Sequence, residues 1–295
     1  MKQTLFTGSG VALVTPFDKD MKIDYTELER LVEYQIENGT NAIIACGTTS
    51  EASAMSADEH NKVISFIIKK VRGRIPVIAG TGSNDTCFCL EMSLEAKKAG
   101  ADGLLLVTPY YNKTSQQGLI KHFNHIADSV KIPVILYNVP SRTGMSIAPE
   151  TYRELSKSPY IVATKEATGN VSAAARIFAL CGDNLDIYSG EDNLTLPLMS
   201  MGAKGIISVF ANALPKVMHD LTAAILEGDY ETARAYSNRY NELMDAFFMD
   251  VNPIPVKEAM NMMGFKCGEC RMPLVGMSME NRVRMTALLQ KYELI

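Results

Sequence analysis

The sequence predicts an α/β protein: a (β/α)8 TIM barrel with a C-terminal helical domain. Three observations carry the prediction. Eight short apolar runs recur at roughly 20–35-residue intervals, the length of one strand-helix unit. Most are continuous in Ile, Val, Leu and Ala rather than alternating, as expected of parallel strands buried on both faces. After Pro215 the strand pattern stops and only helical periodicity remains. The barrel is expected over residues 1–226 and the helical domain over 227–295.

The expected strands are Val11–Thr15, Ala42–Cys46, Pro76–Gly80, Gly103–Val107, Val134–Tyr137, Ile161–Lys165, Asp186–Ser189 and Gly205–Ser208. Between them the spacing turns helical. Asp24-Tyr25-Thr26-Glu27 has the form of a capping box with an acidic cap, followed by Leu28, Leu31, Val32 and Ile36, with Gly39 as a stop. Ser56-Ala57-Asp58-Glu59 repeats the box ahead of Val63, Ile64, Ile67, Ile68 and Val71. Gly100, Gly182 and Gly202 suit helix ends before the fourth, seventh and eighth strands. Helices over Pro215–Leu226, Tyr230–Met249, Pro255–Met263 and Glu280–Tyr292 complete the chain, the first closing the barrel. The later ones are rich in Met and Tyr, which reads as core or subunit contact rather than a cofactor site. An open doubly wound sheet is the competing topology. It usually carries a Gly-rich dinucleotide fingerprint after its first strand, and Thr15-Pro16-Phe17-Asp18 is not one.

Composition narrows the function classes. The net charge of −4 and the absence of a basic stripe argue against nucleic acid as partner. Met1 to Phe6 holds no apolar run of signal-peptide length, and no stretch of about 18 apolar residues suggests a membrane span. A cytoplasmic protein with reduced thiols is the expectation for Cys46, Cys87, Cys89, Cys181, Cys267 and Cys270. Cys267-Gly268-Glu269-Cys270 is a CxxC without a second pair or histidines at ligand spacing, and so ranks as plain thiols. His60, His122, His125 and His219 form no HExxH. Neither a metal nor a cofactor is expected.

In this fold the working residues sit at the C-terminal ends of the strands. The second strand ends at Gly47-Thr48-Thr49-Ser50-Glu51, whose hydroxyls and backbone N–H groups suit a carboxylate, or make an ordinary turn. The fourth ends at Thr108-Pro109-Tyr110-Tyr111-Asn112; adjacent tyrosines there suit chemistry, packing or an interface. The fifth gives Tyr137, able to move protons, and Arg142, able to clamp a carboxylate, or a proline turn with a surface arginine. The sixth ends on Lys165. A strand-end lysine more often reaches solvent or pairs with a carboxylate than serves as a Schiff-base nucleophile, which must be a neutral amine. The seventh ends at Ser189-Gly190-Glu191-Asp192, and the eighth gives Ile206-Ile207-Ser208. Each bland reading stands singly. Together these ends put a lysine, tyrosines, threonines and an arginine around one mouth, which favours an imine-forming lyase or aldolase acting on carboxylates.

At these residues the sequence resembles the dihydrodipicolinate synthase / N-acetylneuraminate lyase superfamily. The likeness runs from Gly8-Ser9-Gly10-Val11-Ala12 to Asn252-Pro253-Ile254-Pro255-Val256-Lys257 and Arg271-Met272-Pro273-Leu274. It rests most specifically on Gly47-Thr48-Thr49-x-Glu51, Tyr137-Asn138-Val139-Pro140-x-Arg142-Thr143-Gly144 and Lys165-Glu166-Ala167-Thr168-Gly169-Asn170. The resemblance implies that Lys165 forms an imine with pyruvate and that Thr48 and Thr49 hold its carboxylate. It implies a proton relay of Tyr137, Thr49 and Tyr111, the last supplied across a dimer interface. Arg142 would bind the carboxylate of L-aspartate 4-semialdehyde, with Gly190 and Ile207 lining the site through their backbone. It also implies a homotetramer built as a dimer of dimers, in lysine and diaminopimelate biosynthesis. Arg142 and the paired threonines favour this branch over sialic-acid lyases and 2-keto-3-deoxy sugar-acid aldolases, the alternative. Two departures stand out. Ser50 occupies a position usually held by glycine, tolerable unless it needs a positive φ. Of the positions that bind feedback lysine, Ser53, His60, Asn84 and Tyr110 fit, whereas Ala57 and Phe88 replace a histidine and a glutamate. Weak or absent lysine inhibition is expected.

Overall fold

The computed structural model describes Lys2 and residues 4–295. Eight parallel strands close into a barrel in chain order. They are β1 (Gly8–Ala12), β2 (Ala42–Ala45), β3 (Val77–Gly80), β4 (Gly103–Val107), β5 (Val134–Asn138), β6 (Ile161–Glu166), β7 (Asp186–Ser189) and β8 (Gly205–Ser208). The (β/α)8 expectation is borne out, and β4, β7 and β8 have the expected bounds.

β1 starts three residues earlier than the apolar run suggested. Glycine weakens a strand on propensity, which hid Gly8-Ser9-Gly10. The seam is tight at Gly8-Ser9-Gly10: a side chain on Gly205 would sit 1.9 Å from the Gly8 carbonyl, one on Gly8 2.3 Å from Asn41 Oδ1 and one on Gly10 2.8 Å from the Phe6 ring. Leu13 makes the last ladder bond, donating to the Ile44 carbonyl at 3.1 Å, and Val14 stays buried but leaves the ladder: Asn212 accepts from the Val14 N–H at 2.9 Å and donates to the Ala12 carbonyl at 2.8 Å.

Two apolar layers result. Ala12, Ile44, Ile78, Leu105, Ile135, Tyr137, Val162 and Tyr188 fill the barrel interior. Its floor is stacked by Phe6 on Tyr188, centroids 4.3 Å apart, with the Tyr188 hydroxyl donating to the Phe6 carbonyl at 2.7 Å. The second layer lies between strands and helices and includes Leu28, Leu31, Val63, Ile67, Phe123 and Tyr152.

The first two long helices follow the expected faces. Tyr25–Glu37 is capped by Asp24, but Glu27 does not reach back to complete the box. Its carboxylate instead holds Arg30 and accepts from the Lys266 N–H at 2.9 Å, because the C-terminal segment passes over this helix end. In Ala57–Val71 the reciprocal box of Ser56 and Glu59 forms.

Helices Tyr230–Ala246, Ile254–Met262 and Met279–Lys291 follow the barrel-closing Pro215–Leu226. They share its core: Leu243, Met244, Phe247, Met260 and Met285 are buried in the outer layer, and Phe247 lies 5.3 Å from Phe210. Among the described residues, no helix is long and apolar enough to cross a membrane.

Candidate active site

The strand register sets the mouth. Lys165 on β6 pairs with Tyr137 on β5 and Tyr188 on β7, so all three face the barrel interior. Lys165 is 5% exposed and Tyr137 7%, and the lysine Nζ lies 4.5 Å above the Tyr137 ring. The ring face and the buried surroundings leave the amine little contact with water. A Schiff-base lysine must be held in such an environment, water-poor yet open to a substrate carbonyl.

Behind β6 a buried polar network fixes the strand end. Glu166 accepts from the Thr168 N–H at 3.0 Å, from Asn138 at 3.3 Å and from the Tyr152 hydroxyl at 3.4 Å. Burial raises the Glu166 carboxyl above its usual range, and these donors pull it partly back. Gly190 follows β7 and packs on this strand end. Its N–H donates to the Glu166 carbonyl at 2.7 Å, and a Cβ would come within 2.6 Å of the Ala167 side chain. Only glycine permits that approach.

Thr48 and Thr49 lie in a 3-10 turn, Thr48–Ser50, after β2. Thr49 is buried and Thr48 half-buried. Ser50 belongs to the turn, and its hydroxyl donates to the Leu13 carbonyl at the end of β1. The left-handed residue is Glu51, φ +59°, so the departure from glycine at Ser50 meets no backbone obstacle.

Glu51 explains itself by burial. Its carboxylate pairs with Lys257 at 2.9 Å, the two side chains being 1% and 2% exposed, and accepts from the Arg271 N–H at 2.7 Å. Lys257 also donates to the Glu269 carbonyl at 2.8 Å and sits 4.4 Å over the Phe17 ring. The threonine loop is thus bolted to the C-terminal helices. Sequence reasoning quoted Glu51 and Lys257 only as parts of a motif; no local pattern links residues 206 positions apart.

Arg142 is exposed on a one-turn helix, Pro140–Thr143, which starts on a proline at its first turn. The Thr143 hydroxyl accepts from that of Thr108 at 3.1 Å, pinning this helix to the end of β4. Arg142 donates to the Asn252 carbonyl at 3.2 Å, and Asn252 Nδ2 donates to Thr49 Oγ1 at 3.0 Å. Asn252 and Glu191 are site neighbours that the sequence reading named without giving them a role. Burial pushes the Glu191 carboxyl up and Asp192 beside it pushes it further; Lys165 and Arg142 draw it back, which places Glu191 in their field. Asp192 instead holds the β8 end, accepting from Ser208 and from the N–H groups of Val209 and Phe210. Ile207 on β8 is fully buried in the barrel interior.

A cavity of about 430 Å³ joins Thr48, Tyr137 and Arg142 to Ser53, Ala57, His60, Phe88 and Tyr110. His60 must donate from Nε2 to the Gly80 carbonyl at 2.9 Å, which leaves Nδ1 without a partner, and burial lowers its pKa. Asn84 lies apart from this group and borders a second depression with Lys121 and His122. Tyr111 stands away from Tyr137, 92% exposed at φ +67°. Among the described residues no cluster of His, Cys, Asp and Glu could hold a metal ion. All six cysteines are free, and burial pushes Cys267 and Cys270 up to about 12.

A closed parallel barrel with a buried lysine, a tyrosine and paired threonines at one mouth defines the class: a (β/α)8-barrel enzyme. The chain belongs to the dihydrodipicolinate synthetase family, whose model matches residues 5–292. It is 52% identical over 291 residues to the 4-hydroxy-tetrahydrodipicolinate synthase of Geobacter sulfurreducens, covering 99% of this chain and 100% of that one. The dihydrodipicolinate synthase of Aquifex aeolicus superposes with a TM-score of 0.96 at 45% identity, covering 98% and 99% of the two chains. The chloride-inhibited dihydrodipicolinate synthase of Acinetobacter baumannii, solved with pyruvate, superposes at 0.97 with 43% identity, covering 99% and 100%. The family, the barrel and the lyase class expected from the sequence are borne out.

Proposed function

We propose that the chain condenses pyruvate with L-aspartate 4-semialdehyde, the reaction of a 4-hydroxy-tetrahydrodipicolinate synthase. The carrying observation is Lys165, buried at the β6 end against Tyr137 and within one mouth with Thr48, Thr49 and Arg142. The Lys165 amine attacks the ketone carbon of pyruvate, and loss of water leaves an imine. Thr48 and Thr49 hold the pyruvate carboxylate. Removal of a methyl proton gives the enamine, whose carbon bonds to the aldehyde carbon of the second substrate. That substrate's amine then attacks the imine carbon, closing the ring and releasing Lys165. Tyr137, Thr49 and Tyr111 move the protons, and Arg142 holds the second substrate's carboxylate. Gly190 and Ile207 line the site through their backbone.

Tyr111 supports an assembly. A bulky residue at positive φ, projecting into solvent, suits delivery to a neighbouring subunit's site. We infer a homotetramer arranged as a dimer of dimers, acting in the cytoplasm without a cofactor. The Ser53, His60 and Tyr110 end of the cavity is the effector side, with Asn84 beyond it in the neighbouring depression.

Borohydride reduction in the presence of pyruvate, followed by peptide mass mapping, tests the reading. A reduced adduct on Lys165 is expected, and turnover of the two substrates in a coupled assay vanishes in a folded Lys165→Ala variant. No adduct, or retained turnover, would overturn it.

A further inference from the structure

We propose that the depression beside the helix Gln116–Val130 is a binding site for a phosphate group, free or as a small monoester. It is separate from the cavity at the mouth and goes beyond the condensation proposed above. The depression holds about 530 Å³ and lies along that helix, bordered by the start of the helix Thr86–Ala99 and by the loop after β4. Lys113, Lys121, His122 and His125 line it, and among the described residues no carboxylate does. In a chain of net charge −4, such a gathering of basic groups is local and of one sign.

Helical spacing builds one wall. Gly118, Lys121, His122 and His125 recur at three- and four-residue intervals and so share a face of Gln116–Val130. Gly118 lets the loop close on this face, since a Cβ there would come within 1.9 Å of Thr114 Oγ1. The loop is pinned on its other side by Asn112, whose Nδ2 donates to the Asn84 carbonyl at 2.9 Å. Lys113, Lys121 and His125 are exposed, and among the described residues none of them enters an ion pair.

His122 is the independent sign of a ligand. It is 7% exposed, its Nδ1 lies 2.9 Å from the Thr86 hydroxyl, and its Nε2 has no partner. Burial, with His125 adding to it, lowers its pKa to about 4, so the ring is neutral at pH 7. With the Thr86 hydroxyl donating to Nδ1, the ring hydrogen stands on Nε2 as a buried donor left open, which is unfavourable. A ligand oxygen in the depression satisfies it. Two ammonium groups and this N–H match an anion of about −2 charge with several equivalent oxygens, which is a phosphate rather than a carboxylate.

Titration calorimetry of the full-length protein with inorganic phosphate, with glycerol 3-phosphate and, at matched ionic strength, with acetate tests the proposal. Saturable binding of phosphate is expected, and none of acetate. Lys121→Met should weaken phosphate binding about tenfold, the scale of one charge-assisted hydrogen bond. Lys121 is a sharper probe than Lys113, whose Nζ lies along Gly144, where a Cβ would meet it at 3.3 Å. His122→Phe keeps a ring and removes the N–H, and should weaken binding by about threefold or more. Lys98→Met removes an exposed charge from the neighbouring helix and should leave affinity within about twofold of wild type. Tighter binding of glycerol 3-phosphate than of phosphate supports the site as one for a monoester; equal affinity supports it as one for the phosphate group alone. No saturable binding of phosphate, equal binding of acetate, or equal losses in Lys121→Met and Lys98→Met overturns the proposal.

Discussion

The Lys257–Glu51 pair gives the sharpest stability prediction. Lys257→Met removes the cation and keeps a similar volume. It leaves a carboxylate 1% exposed whose remaining donor is the Arg271 N–H at 2.7 Å. Breaking a buried pair from one side costs about 3–5 kcal/mol, because the surviving charge stays desolvated. At about 2 °C per kcal/mol for a chain of this size, the melting temperature should fall by about 6–10 °C. The assay is urea unfolding at neutral pH, with the midpoint falling and the slope unchanged. The double variant Lys257→Met/Glu51→Gln should regain much of the loss, since it removes both charges. Lys62→Met breaks the surface pair with Asp58, whose side chains are 63% and 74% exposed, and serves as the contrast: its urea midpoint should stay at the wild-type value. A Lys257→Met variant within about 1 kcal/mol of wild type, or additive losses in the double variant, would refute the reasoning.

Three further predictions follow from single observations. Under native conditions a thiol reagent should modify Cys87 alone, because the other cysteines are buried, and all six after denaturation; rapid native labelling of Cys267 or Cys270 contradicts this. Hydrogen bonding to Arg271 holds Glu59 at about 2, below its unfolded value near ~4.3, so its contribution is present above that value and is lost as pH falls through about 2. The gap in melting temperature between wild type and Arg271→Met should therefore narrow over this window; a constant gap contradicts it. Lysine at sub-millimolar concentration should leave activity unchanged, since the cavity presents Phe88 and Ala57 and lacks a carboxylate partner worth about 1.5–3 kcal/mol to the ligand's ammonium. Half-inhibition in that range would reject this.

The sequence disclosed what is periodic and local. Continuous apolar runs located the strands, and Lys165 at the end of the sixth pointed to the mouth before any geometry was known. The misses share a cause. β1 was displaced because Gly8 and Gly10 are strand residues only through their pairing with Gly205 and Ile207, contacts 197 residues distant. Glu27 was assigned to a capping box because the pattern is local, whereas Lys266 and Arg30 claim its carboxylate. Asn252, Glu51 and Lys257 carried no signal as site supports, since their partners lie in another part of the chain. Tyr110 and Tyr111 were read as a pair; the backbone separates them, one onto the cavity and one into solvent.

Ser50 shows how a motif departure acquires a physical sign. Had this position needed a positive φ, serine would be strained and Ser50→Gly would stabilise the fold. The left-handed residue is its neighbour Glu51, and Ser50 sits in the 3-10 turn, 1% exposed, with its hydroxyl on the Leu13 carbonyl. Glycine there removes a buried hydrogen bond worth about 0.5–1.5 kcal/mol and adds about 0.5–1 kcal/mol of unfolded-chain freedom. Ser50→Gly should therefore destabilise by about 1–2.5 kcal/mol in urea unfolding. The bond also ties the threonine turn to the end of β1, so pyruvate binding should weaken as the turn gains freedom. A stabilised Ser50→Gly variant would mean that the turn carries strain which serine does not relieve, and the account of the loop would have to be rebuilt from Glu51 outward.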